Sequence, residues 1–189
     1  MGSAALLILV VIAVVVVGAI LFVIGLYNGL QRKKLGAENA WSDIDVQLKR
    51  RHDLIPNLVN TVKGYATHES ETLEAVTSAR NAAAGAQGID AQLGAENMLT
   101  QSLGRLFAVS EAYPDLKANQ NFIQLQEELT STENKIGFSR TNYNRMTANY
   151  NEKLEMIPTN IVANMFNFQN RDLFEVESAE EREPTQVKF

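Results

Sequence analysis

Cysteine is absent from this 189-residue chain. That excludes disulfides, thiolate metal sites and cysteine nucleophiles, and leaves the redox compartment unmarked. Proline occurs four times, at 56, 114, 158 and 184, and three of the four look like punctuation between elements. Aromatics make up 7% of the chain, a composition suited to helix packing by Leu, Val, Ala and Met. The net charge of −5 gives no electrostatic case for nucleic acid. Histidine appears only at 52 and 68. Asp45 and His52 share a helical face, but no further ligand joins them, so no metal and no cofactor is expected. No serine sits in a nucleophile elbow. The glycine-bearing run 82–88 lacks the lysine and the preceding strand of a phosphate loop. No constellation reaches the level of a catalytic site, and the chain reads as non-enzymatic.

Charge is also missing from Ala4 to Leu26, and this absence is informative. A run of about 20 apolar residues is what a helix needs to cross about 30 Å of hydrocarbon. A cleaved signal peptide is the rival reading. It is disfavoured because no basic residue precedes the run, the run is long for such a segment, and no small-x-small cleavage site follows. Arg32, Lys33 and Lys34 follow the run, where basic residues set orientation. They predict a single-pass membrane protein with its N-terminal tip (1–3) outside and its C-terminal domain cytoplasmic. Gly18, Gly25, Gly29 and Gly36 lie at spacings of 7, 4 and 7 and share one helical face. Gly25 and Gly29 form a GxxxG pair that permits close helix approach in lipid, which predicts a homo-oligomer.

Beyond the membrane segment (4–27), residues 28–157 carry helical periodicity throughout. Trp41, Ile44, Leu48, Ile55, Leu58 and Val62 fall at spacings of 3, 4, 7, 3 and 4, in phase with a 3-4 helical repeat, with Pro56 expected to bend their helix. Thr67 is a candidate N-cap for a second helix if the chain turns at 64–70, the favoured reading over one long helix. Gly88 is a candidate left-handed C-cap and Asp90 an N-cap for the third helix. The fourth helix has the most regular pattern, a coiled-coil-like series running from Phe122 through Leu129, Ile136 and Tyr143 to Tyr150. Antiparallel alternation would set Leu54 or Leu58 beside Ile136. In the repeated Asn-Tyr-Asn at 142–144 and 149–151, the tyrosines face the core and their hydroxyls need partners. The fold class is therefore all-α: an N-terminal transmembrane helix followed by an up-and-down four-helix bundle. Lys49-Arg50-Arg51 and the carboxylates read as solvated surface.

A short amphipathic segment (158–174) follows Pro158. Ile161, Val162, Met165, Phe166 and Phe168 form its apolar set, placed to lie in the lipid interface. The tail 175–189 is acidic and reads as mobile.

Three stretches resemble one known family: AWSDIDVQLKRRHDLIPNLVNTVKGYATHE (Ala40–Glu69), YPDLKANQNFIQLQEELTSTENKI (Tyr113–Ile136) and RTNYNRMTANYNEKLEMIPTNIVANMF (Arg140–Phe166). Together they are similar to the bacterial LemA family over nearly everything from Tyr27 to Phe174. The resemblance implies an N-terminal helix in the bacterial inner membrane, with a short outside tip, and an up-and-down bundle. It does not imply an established enzymatic activity. It does suggest an association with membrane metalloproteases and envelope stress, hence the alternative of an adaptor or regulator of a membrane protease beside the leading reading of a self-associating scaffold. The chain departs from the family pattern at QRKKLG (Gln31–Gly36) and at Ile157, where phenylalanine commonly stands.

Overall fold

The computed structural model describes residues 2–174, and every element among them is helical. The acidic tail 175–189 lies outside the described residues. Helix α1 spans Gly2–Lys63, α2 Ser70–Gly85, α3 Ile89–Ser110, α4 Pro114–Lys117, α5 Gln120–Glu155 and α6 Thr159–Met165. The apolar run and the first bundle helix are one element, and α1 continues through Pro56. Chain contacts separate two units. One comprises residues up to Ala40 with Asn142–Arg171, and the other Trp41–Thr141 with the described residues from Asp172 on.

The second unit holds the four-helix arrangement. Helix α1 ends where Gly64 and Tyr65 turn their amides back onto Thr61 and Val62 carbonyls, with Lys63 favourably placed against the negative end of the helix. The turn at 64–69 is present. The capping position of α2 is occupied by Glu69, not by Thr67, and its side chain makes no cap bond. That carboxylate instead accepts the Tyr113 hydroxyl at 3.1 Å, and Asn119 donates to the Tyr65 hydroxyl at 2.8 Å. These two bonds tie the α1–α2 turn to the connection between α3 and α5, so both lie at one end and the helices alternate in direction.

At the other end, Gly88 has the positive φ (86°) that only glycine adopts freely. It precedes α3 as its N-cap and does not close α2, and Asp90 stands in the first turn. Asn119 caps α5 by accepting the Phe122 amide at 3.1 Å, satisfying one of the otherwise orphaned donors. The one-turn α4, which sequence periodicity does not reveal, starts at Pro114, a natural first helical residue.

The core follows the 3-4 pattern. Phe122, Leu129 and Ile136 on α5 are buried seven residues apart in this unit, and Ile55, Leu58, Val62, Leu99 and Leu106 are buried on α1 and α3. The register differs from the sequence expectation. Leu58 clusters with Phe122 and Leu129 rather than with Ile136, and Arg50 and Arg51 reach Glu128 and Glu133. The expected register stepped through the turns with a common rise per residue and took no account of α4 between α3 and α5.

In the first unit, Leu30 of α1 packs with Val162 and Ala163 of α6, flanked by Val23, Leu26, Tyr27, Leu154 and Phe168. Tyr143 and Tyr150 continue the seven-residue burial pattern of α5.

Candidate functional site

Most of the apolar stretch of α1 has no cover among the described residues. Large aliphatic side chains from Leu6 through Ile24 are exposed, and none of the apolar window is buried. A contiguous apolar surface of this size marks contact with lipid or protein, and α1 is long and apolar enough to cross a membrane. The four glycines of the sequence stripe lie along α1. A Cβ added at Gly18, Gly25, Gly29 or Gly36 would meet nothing within 4 Å, so no described residue lies against these four positions.

Helix α6 sits just beyond this stretch. Val162 and Ala163 are buried against Leu30. Tyr27 packs the Phe166 ring at 4.8 Å and the Phe168 ring at 5.6 Å. Ile161 and Met165 are left 61% and 66% exposed, and Phe166, packed on Tyr27 along one side, is 50% exposed. Ile157, before Pro158, is also exposed. The five-residue apolar set read from the sequence thus divides. Val162 packs inward as the anchor of α6 rather than outward, while Ile161, Met165 and Phe166 form an apolar foot beside the end of the membrane run.

The segment after α6 is fastened to α5. The Tyr150 hydroxyl donates to the Gln169 carbonyl at 3.0 Å. Asn151 donates to the Arg171 carbonyl at 2.9 Å and accepts the Arg171 amide at 3.0 Å. Arg171 pairs with Glu38 of α1. Burial raises the Tyr150 phenol above its ordinary range. The second Asn-Tyr-Asn motif is therefore the clasp that holds this strap.

A second constellation, inside the four-helix unit, corrects the surface reading of Arg51 and of one carboxylate, Glu96. Arg51 and His52 are buried, and Glu96 is only 1% exposed. Arg51 donates to Glu96 at 3.1 Å and to the Thr100 hydroxyl at 2.8 Å. It also ion-pairs with Glu133 at 2.8 Å, at an angle outside hydrogen-bond geometry. His52 Nε2 lies 2.7 Å from the second oxygen of Glu96, which also accepts from Gln92 at 3.1 Å. Arg80 donates to the His52 carbonyl at 3.2 Å. Burial lowers the Arg140 guanidinium, with Glu133 and Glu96 opposing the shift. Arg50, by contrast, is half exposed and pairs with Glu128 at 2.7 Å. Both carboxylate oxygens of Glu96 are thus engaged by protein side chains, one by Arg51 and the other by His52 and Gln92. Among the described residues, no group of three or more His, Asp or Glu is placed to hold a metal.

The chain matches the model of the LemA family over residues 40–189. It is 29% identical over 170 residues to Protein LemA of Metamycoplasma hominis, covering 88% of this chain and 77% of that one. It is 26% identical over 164 residues to Magnetosome protein MamQ 2 of Paramagnetospirillum magneticum, covering 73% of this chain and 60% of the relative. It is 25% identical over 174 residues to Magnetosome protein MamQ of Magnetospirillum gryphiswaldense, covering 78% and 64%. The chain thus spans less than two thirds of the length of these magnetosome relatives. The family match covers all four bundle helices and the strap, and with it this membrane-associated, all-helical chain belongs to the LemA family.

Proposed function

We propose that this protein is a non-enzymatic, membrane-anchored scaffold that self-associates, with α1 crossing the bilayer and α6 resting on its surface. One observation carries the reading: the apolar surface of α1 from Leu6 to Phe22 is uncovered by the described residues and is flanked by the exposed foot of Ile161, Met165 and Phe166. Lipid satisfies most of that surface. The open face at Gly18, Gly25, Gly29 and Gly36 lets a second α1 approach closely, the geometry that van der Waals packing between membrane helices favours. Arg32, Lys33 and Lys34 favour a cytoplasmic bundle.

The test is the size of the full-length protein purified alone in detergent and imaged as single particles. A scaffold gives particles of several copies without any partner. Monomers that enlarge only when a membrane protease is co-purified would replace this reading with that of an adaptor.

A further inference from the structure

The strap and α1 enclose a cleft of about 520 Å³ lined by Tyr27, Gln31, Lys34 and Tyr150 and by residues 166–171. It exists because Asn167 takes a left-handed conformation (φ 56°) at the end of α6. That reverses the chain so that residues 169–171 can be clasped by Tyr150 and Asn151. Its polar lining is rich in donors. Lys34 is half-buried and forms no ion pair among the described residues. Gln31, Asn167, Gln169 and Asn170 bring side-chain amides. Arg171 adds a guanidinium with five donors, one of its nitrogens held by Glu38. A lysine and an arginine against one carboxylate leave the site electropositive.

Its depth is set by α1. Lys34 lies eight residues beyond Leu26, about 12 Å along the axis. The headgroup layer occupies the first ~5–8 Å outside the hydrocarbon, and a lysine stem bridges the remainder. Tyr27 and Phe166, which line the same cleft, are aromatic residues at the boundary, where such rings concentrate.

We infer that this cleft binds the phosphodiester of an anionic phospholipid, with Lys34 as its principal cation. The inference rests on the reading that α6 lies at the membrane surface. A zwitterionic headgroup is the poorer fit, because its choline would meet the same cations.

The experiment uses full-length protein in bilayers of phosphatidylcholine with phosphatidylglycerol. Spin-labelled versions of each lipid report the motionally restricted fraction. The wild type should restrict phosphatidylglycerol preferentially. Lys34→Gln should lower that preference about five-fold, the worth of one basic residue at a membrane surface. Lys33→Gln, which removes the same charge from a residue outside the cleft, should lower it markedly less. Equal losses in both variants would mean a diffuse surface potential and overturn the site, as would no loss in either. Loss of preference on adding inorganic phosphate at constant ionic strength would assign the cleft to a soluble anion and overturn the lipid assignment. A tryptophan at Met165, outside the cleft, checks the underlying membrane reading separately through quenching by brominated lipid.

Discussion

Glu96 is the residue on which the interior of the bundle most depends. It is 1% exposed and meets Arg51, His52 and Gln92 at 3.1, 2.7 and 3.1 Å. Glu96→Gln keeps the shape and removes the charge. It turns an amide donor toward donors that are already there and leaves Arg51, itself 3% exposed, with only the half-exposed Glu133 as counter-ion. Breaking a buried pair from one side costs about 3–5 kcal/mol, a large share of the ~5–15 kcal/mol that holds an ordinary domain together. Replacing the cluster by apolar residues of similar volume (Glu96→Met with Arg51→Met and His52→Leu) should cost far less, and can stabilise by ~1–4 kcal/mol, because no uncompensated charge remains. Urea unfolding of the full-length protein in detergent, followed by far-ultraviolet circular dichroism, measures both. The slope should stay constant while the midpoint falls for the single variant and recovers for the triple. A Glu96→Gln loss below ~1 kcal/mol would refute the reasoning, since it would mean that water reaches the cluster.

Three further outcomes are expected. Tyr150 has its phenol pKa raised by burial, so above the ordinary tyrosine range the unfolded chain loses a proton that the folded one keeps. Stability therefore falls as pH rises through and beyond ~10; Tyr150→Phe should flatten that decline in thermal melts, and an unchanged slope would contradict it. Leucine at both Gly25 and Gly29 should reduce the number of copies per particle on size-exclusion chromatography with light scattering, whereas an unaltered mass would place assembly in the soluble helices. A cysteine at Ser178 should resist an impermeant thiol reagent in intact cells and react after lysis; labelling without lysis would reverse the orientation derived from Arg32, Lys33 and Lys34.

Helix type and direction were readable because they depend on local pattern. The five buried positions from Phe122 to Tyr150 recur every seven residues, and a charge-free stretch of membrane length has few other meanings. The buried network was missed, although its trace is in the sequence. The apolar series Ile44, Leu48, Ile55, Leu58 passes through Arg51 and His52, and Glu96 lies three residues before Leu99, in phase with Leu103. A charge on a core stripe signals a partner on another helix, and local periodicity does not carry that information. Trp41 illustrates the same limit. Its place on the stripe suggested core burial, yet it stacks at 5.5 Å on Phe174, from far along the chain, and Arg140 lies 5.4 Å from the same ring. Val162 turned inward because α6 needs an anchor against Leu30, and a seven-residue helix has too few turns for sequence to say which apolar side faces protein.

The depth of Met165 tests the central claim most directly. In a Trp41→Phe background, a tryptophan at Met165 becomes the only one in the chain. The protein is then placed in vesicles whose lipids carry bromine either near the headgroup or deep in the acyl chain. A foot resting on the bilayer predicts blue-shifted emission quenched strongly by shallow bromine and weakly by deep bromine. Emission untouched by bromine at either depth would place α6 away from lipid and contradict the account.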